Sequence, residues 1–249
     1  MINQLYRIKD RLEEWWRYPQ PTWLQRRLLG LHTDSFDLDF TARRLAAETS
    51  AEYMMANMRQ ARNFAVDYDL HEWVIDECDG GLIDSGLILE FGVATGRTLN
   101  HWARLLPHKT IYGFDGFEGL PEDWTWYIRK NHFQQPLPRV RDNCELVVGW
   151  FDQTLPGFLA IHPEPVAFLH IDSDLYSSAS YVLDRLRDRI RPGTIILFDE
   201  YFNFPGWQQD EFRAWQEFVD CNHVRYEYIG MVTRHQKVAV RVTAIEVDQ

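Results

Sequence analysis

The 249-residue sequence predicts an α/β fold with a mostly parallel sheet, and three observations carry that prediction. From Leu87 onward, short apolar runs alternate with amphipathic stretches, the texture of βαβ units. The runs at 87–91 and 194–198 are almost continuously apolar, as strands buried on both faces must be. The last two runs, VRYEYIG and KVAVRVT, alternate in polarity and read as a C-terminal antiparallel hairpin.

Each element follows in order. Residues 1–85 show no strand pattern and read as an N-terminal helical extension, with residues 86–249 as the sheet domain. Thr41 to Leu70 is rich in Ala, Met, Arg and Glu, good helix formers, and Thr41 is placed to cap its start. Asp79-Gly80-Gly81 reads as a helix stop. LILEFG (87–92) is the first strand, GRTLNHWARLL (96–106) a helix and TIYGFD (110–115) the second strand. CELVVG (144–149) and PVAFLHID (165–172) are the third and fourth strands. SSASYVLDRLRDRI (177–190) is a helix that Pro192-Gly193 ends. TIILFD (194–199) is the fifth strand, and DEFRAWQEFVD (210–220) a helix. In that last helix Phe212, Trp215, Phe218 and Val219 recur at helical spacing, a core stripe.

Composition narrows the function classes. Lys and Arg number 26 against 37 Asp and Glu, a net charge of −11. That balance speaks against nucleic acid and against an anionic membrane surface as partners. Three widely spaced cysteines, Cys78, Cys144 and Cys221, form no CxxC or CxxH pattern, so thiolate-held metal is not expected and a reducing, cytoplasmic location is. There is no signal-peptide run and no membrane-length apolar run. The expected partner is a small molecule, with a homo-oligomer left open.

Four of the five parallel-strand candidates end in or beside acids: Glu90, Asp115, Asp172 with Asp174, and Asp199 with Glu200. Strand ends gathered along one sheet edge place these carboxylates around one crevice, where α/β sheets bind ligands. Glu90-Phe-Gly92-Val-Ala-Thr95-Gly96-Arg97-Thr98 is a strand, a glycine turn and a helix start. A P-loop needs GxxxxGK[ST], and this segment is one residue short with Arg97 in place of Lys; GxGxxG is also missing. The remaining pattern, ExGxxxG, is the first motif of class I S-adenosylmethionine (SAM) methyltransferases, and its structural alternative is a plain β–α turn. Asp115, ending the next strand, can accept the ribose hydroxyls of a nucleoside cofactor, or can cap a turn.

EFGVATGRT, YGFDGFEGLPEDW, GWFDQTLP, HIDSDLYSSA and FDEYFNFPGW occur in that order. Together they resemble the macrocin O-methyltransferase family of class I methyltransferases, over roughly residues 50–225. The resemblance implies a Rossmann-like domain, SAM as cofactor, a sugar or other natural-product hydroxyl as methyl acceptor, and Mg²⁺. It implies cofactor contacts at Glu90, Gly92, Thr95, Gly96, Arg97, Thr98, Asp115, Gly116, Phe117 and Asp172. It implies metal ligands at Asp172, Asp199 and Glu200, and a base at Asp174; His170, on the same strand face as Asp172, reads from its position as an alternative base or as a core histidine. Two departures stand out: Asp199-Glu200 replaces the family's usual Asp-Asp pair, and Ala94-Thr95-Gly96-Arg97 replaces a more glycine-rich or aromatic turn.

A sugar hydroxyl is a very weak acid, and a divalent ion that lowers the pKa of bound water from 15.7 to about 7 should act similarly on a bound alcohol. Three carboxylates form a hard oxygen site suited to Mg²⁺. A metal-independent N- or O-methyltransferase and a non-catalytic SAM-binding scaffold are the rival readings. Residues 116–143, with Trp124, Trp126, Tyr127, His132 and Phe133, form a long aromatic connection that reads as a lid or acceptor wall, or else as an inserted helix.

Overall fold

The computed structural model describes residues 38–78 and 80–246. Expectations for residues 1–37, and for Asp79, lie outside the described residues. Residues from Ala46 onward form one compact unit.

The strands are β1 (Arg62–Asn63), β2 (Leu87–Phe91), β3 (Ile111–Asp115), β4 (Cys144–Val148), β5 (Val166–Ile171), β6 (Ile195–Phe198), β7 (Val224–Met231) and β8 (Val238–Ile245). The helices are α1 (Leu38–Asn57), α2 (Asp67–Asp76), α3 (Gly80–Ser85), α4 (Arg97–Leu105), α5 (Phe151–Ile161), α6 (Tyr176–Leu186) and α7 (Glu211–Cys221). All eight strands join one sheet in the order β1-β7-β8-β6-β5-β2-β3-β4. Every pairing is parallel except β6 with β8 and β7 with β8. The α/β class, the parallel centre and the C-terminal hairpin therefore stand as the sequence predicts.

Three local differences have physical causes. The helix expected over 41–70 breaks after Asn57, and Thr41 lies inside α1 rather than at its cap. Arg62–Asn63 leave the helical path to pair in parallel with Gly230–Met231, extending the sheet by one short edge strand. Phe151–Ile161, between the third and fourth strands and given no element above, is the helix α5. Its Leu155 and Phe158 bury against the β2–β3 face.

The core has two layers, one on each sheet face. Leu87, Leu89 and Phe91 of β2 point to the face covered by α5, α6 and α7. Ile88 points to the other face, beside Leu99, Trp102 and Ala103 of α4 and Val74 of α2. Period-two alternation sets this division. It also puts Glu90 and His170 on the Ile88 face, directly opposite each other in the β2–β5 register.

The strand order reverses between β2 and β5, because the chain first runs outward through β3 and β4 and then returns to the other side of β2. That reversal opens a crevice at the strand carboxyl ends. Gly92 and Asp172 face each other across it. A Cβ on Gly92 would stand 1.7 Å from the Asp172 carbonyl oxygen, and Gly92 has φ +93°. Gly92→Ala is therefore expected to cost at least ~2 kcal/mol of stability, from overpacking and backbone strain together. Urea denaturation measures it; a loss below ~0.5 kcal/mol, the scale of a neutral surface change, would show that the two loops do not touch this closely. Among the described residues no helix is long and apolar enough to cross a membrane.

Candidate active site

The glycine turn is shaped by Asp115. Its Oδ2 accepts the backbone N–H groups of Val93 (2.9 Å) and Ala94 (2.8 Å), and its Oδ1 accepts that of Phe117 (2.6 Å). Ala94 and Phe117 both have positive φ, conformations that these bonds support. Gly96, at φ 73°, caps α4 and leads into Arg97. The Arg97 guanidinium lies 5.9 Å from the Tyr68 ring centroid. Thr95 and Thr98 flank that helix start. Gly116 sits beneath the Trp150 indole, which a Cβ there would meet at 3.5 Å.

Asp115 thus spends three of its four acceptor positions on the loop. The fourth takes no hydrogen bond from the described residues. Asp115→Asn turns one of these acceptors into a donor facing backbone N–H groups. Charge-assisted bonds of this kind carry ~1.5–3 kcal/mol, so affinity for S-adenosylhomocysteine should fall ~10–100-fold. Calorimetric titration reads this directly, and an unchanged dissociation constant would detach the β2–α4 loop from cofactor binding.

Glu90 is fully buried. Its Oε2 accepts the Trp102 indole N–H at 2.7 Å and meets His170 Nδ1 at 3.0 Å. Its Oε1 is buried without a partner among the described residues. Burial raises its carboxyl above the ordinary range, against the pull of the His170 and Trp102 bonds. Glu90 thus reaches the crevice only through His170. The other His170 nitrogen, Nε2, lies 3.4 Å from Asp199 Oδ1. Burial alone would lower the His170 imidazole, but its bonds to Asp199 and Glu90 outweigh that and push it up to about 10. Both ring nitrogens then hold protons directed at carboxylates.

Asp172 follows β5, its backbone N–H bonded to the Phe91 carbonyl at 2.8 Å. Burial, then the nearby Asp199 charge, pushes its carboxyl up to about 7. Asp174 is buried and holds φ 62°, a left-handed conformation that Asp tolerates better than most residues. Burial, followed by Asp172 and Glu211, holds its carboxyl well above the usual range. Asp199 behaves oppositely: burial would raise it, but the Lys237 charge and the His170 bond keep it well below.

Two basic residues that no motif announced complete the site. Lys237 Nζ bonds Asp199 Oδ1 and lies 3.8 Å from Asp67 Oδ2. His235 Nδ1 is 2.6 Å from Asp67 Oδ1. A chain of alternating acids and bases therefore runs from Glu90 through His170, Asp199 and Lys237 to Asp67 and His235.

A ring nitrogen of His170 and one carboxylate oxygen each of Asp172 and Asp199 lie within 4.8 Å of one another, and with His170 protonated the two carboxylates are the donors of that group. Glu200 lies outside that close group. Its Oε2 is buried without a partner among the described residues, and burial with the neighbouring Asp199 and Asp174 charges raises its carboxyl. Asp172 and Asp199 lie close enough to repel each other, and the unmet Glu200 oxygen belongs to the residue after Asp199, a donor set that fits a further cation. Hard oxygen donors suit Mg²⁺.

The 116–143 connection contains no helix. It folds back on itself through Leu120, whose N–H bonds the His132 carbonyl at 2.9 Å and whose carbonyl receives the Asn131 N–H. Trp124 is pinned by its indole N–H to Asp210 at 3.0 Å, while Trp126, Tyr127 and Phe133 are exposed.

Comparison with known proteins agrees with this geometry. Residues 89–201 match a family model described as a methyltransferase domain. A similar curated protein is the 8-demethyl-8-(2,3-dimethoxy-alpha-L-rhamnosyl)-tetracenomycin-C 4'-O-methyltransferase of Streptomyces olivaceus, 25% identical over 176 residues. The alignment covers 61% of this chain and spans 64% of that relative's length. Among solved structures, the calicheamicin methyltransferase CalS11 superimposes with a TM-score of 0.55 at 24% identity, over 84% of this chain and 93% of its own. The O-methyltransferase NovP does so with a TM-score of 0.53 at 20% identity, over 84% of this chain and 100% of its own. In sheet order, glycine turn and matched segment, the chain is similar to methyltransferase domains of the Rossmann-like kind.

Proposed function

We propose that the protein is a SAM-dependent O-methyltransferase acting on a hydroxyl of a small natural product or its sugar. The observation that carries the reading is the placement of Asp174. It is a buried carboxyl in a left-handed turn, on the loop that Gly92 of the cofactor turn touches. When bound, SAM supplies an activated methyl group, and the chain must orient the acceptor and remove its proton. Backbone N–H groups at the α4 start and the remaining acceptor on Asp115 hold the cofactor's polar ends. Trp150 over Gly116 offers an apolar wall for its base.

Asp174 takes the acceptor proton. Burial and the neighbouring acids raise its proton affinity, so its ionised form is a stronger base than an exposed aspartate, and a cation held by the neighbouring acids would favour that form. His170, with both nitrogens committed, orients Asp199 rather than accepting the proton. Asp172, Asp199 and Glu200 would hold Mg²⁺, which would make a bound hydroxyl more acidic. The aromatic 116–143 connection forms the acceptor wall. The rhamnoside substrate of the tetracenomycin relative makes sugar hydroxyls the first acceptors to try.

A second reading is favoured by one contact. Lys237 already places an ammonium on Asp199, so the site can be partly neutralised without a divalent ion. Methyl-transfer assays on rhamnosylated polyketides, with Mg²⁺ and then with chelator, separate the two. Turnover lost on chelation and restored by Mg²⁺ supports the metal-assisted reading, and turnover indifferent to chelator supports Lys237. Absence of S-adenosylhomocysteine binding by calorimetry would sink both.

A further inference from the structure

The loops carrying the acids leave two different strands, yet both are tied to one side chain that belongs to neither. Glu211, the first residue of α7, is fully buried. Its Oε1 accepts the backbone N–H of Ser173 at 3.3 Å, between Asp172 and Asp174. Its Oε2 accepts the backbone N–H of Glu200 at 3.1 Å, immediately after Asp199. The preceding residue, Asp210, accepts the Trp124 indole N–H of the aromatic connection. It also takes a backbone N–H bond from Tyr176, at the start of α6.

We infer that Glu211 is a positioning residue: its two oxygens clip the β5 and β6 loops together and so set the spacing of Asp172 and Asp174 relative to Asp199 and Glu200. Glu211 is an acid placed among acids, where a hydrophobic residue would meet no repulsion. What offsets that cost is the pair of buried N–H groups, each expensive to leave unpaired. The α7 N-terminus adds a favourable dipole. A carboxylate spans both donors. An amide offers one acceptor and turns a donor toward the second N–H.

The inference rests on the reading that these acids form the reaction site, and its test keeps the two apart. Hydrogen exchange of the full chain is followed by mass spectrometry in the wild type, Glu211→Gln and Glu211→Ala. In Glu211→Gln, peptides covering 170–176 and 198–203 should exchange at least about tenfold faster, with the 88–97 turn unchanged. Affinity for S-adenosylhomocysteine should stay within about twofold, and Mg²⁺ affinity should fall ~10–100-fold, the range for groups that orient metal ligands. Glu211→Ala should be worse than Glu211→Gln at both loops. Exchange unchanged at either loop, or raised evenly along the whole chain, would overturn the clip. If Mg²⁺ gives no heat even with the wild type, the metal reading fails, and the exchange data still decide the role of Glu211. Should both variants fail to fold, the wild type in sub-denaturing urea serves instead. Ser173 and Glu200 amides should open with one rate and one urea slope; independent opening would overturn the proposal.

Discussion

Asp174→Asn should lower kcat by about 10²–10⁴-fold, the span that a positioned general base supplies, while leaving S-adenosylhomocysteine affinity within about twofold of wild type. The substitution is chosen to spare the fold. Asn has the volume of Asp and is among the few residues that adopt the left-handed conformation held here at φ 62°. Burial and the flanking Asp172 and Glu211 charges favour an uncharged side chain at this position, so Asn should be neutral or mildly stabilising. Activity and stability are thus expected to move in opposite directions, which a merely structural residue would not do. Steady-state methylation of a rhamnoside acceptor, beside calorimetry and thermal melting, gives all three readings. A kcat within about tenfold of wild type would remove Asp174 as the base and return attention to Asp172, whose carboxyl is pushed up to about 7.

The contrast between Asp174 and Asp199 explains why part of the site is legible in sequence and part is not. Glu90, Asp115, Asp172 and Asp199 are read from position alone, because a parallel sheet gathers its strand ends on one edge. The glycine turn is read for a similar reason: only glycine passes Asp172 at Gly92, so the backbone demand shows in the residue type. The partners of these acids leave no such trace. Lys237 opens KVAVRV, an ordinary alternating strand in which a lysine at the end reads as solvated. Its burial depends on β8 lying antiparallel beside β6, a register that places Val238 opposite Phe198. Glu211 reads as a favourable first-turn acid on a helix, and its two acceptors meet backbone groups, which carry no sequence signal. Asp67 and His235 meet across 168 positions and belong to no motif. Short-range patterns therefore show the acids, whereas their counter-charges depend on long-range register.

Among the stability predictions, Lys237→Met should have the largest effect, costing about 3–5 kcal/mol because it leaves a buried charge uncompensated. Lys237 has a side-chain exposure of 12% and Asp199 of 14%, so water cannot replace the lost partner well. Asp67 keeps His235 at 2.6 Å and should suffer less. Asp199 keeps only the longer 3.4 Å contact to His170, in a crevice already crowded with carboxyls. Methionine matches the lysine stem in length and packs without polar demands, so the loss isolates the charge. The double variant Lys237→Met with Asp199→Asn should recover at least about 1 kcal/mol of that loss, a coupling within the range for contacting residues. Asn at 199 removes the stranded charge while its carbonyl still accepts from His170. Urea denaturation of the four proteins closes the cycle. If Lys237→Met costs less than about 1 kcal/mol, as an exposed pair would, the ammonium is not what balances Asp199. If the double variant instead loses the sum of both single changes, the two groups act independently. The alternating chain of acids and bases from Glu90 to His235 would then be a set of neighbours rather than one network.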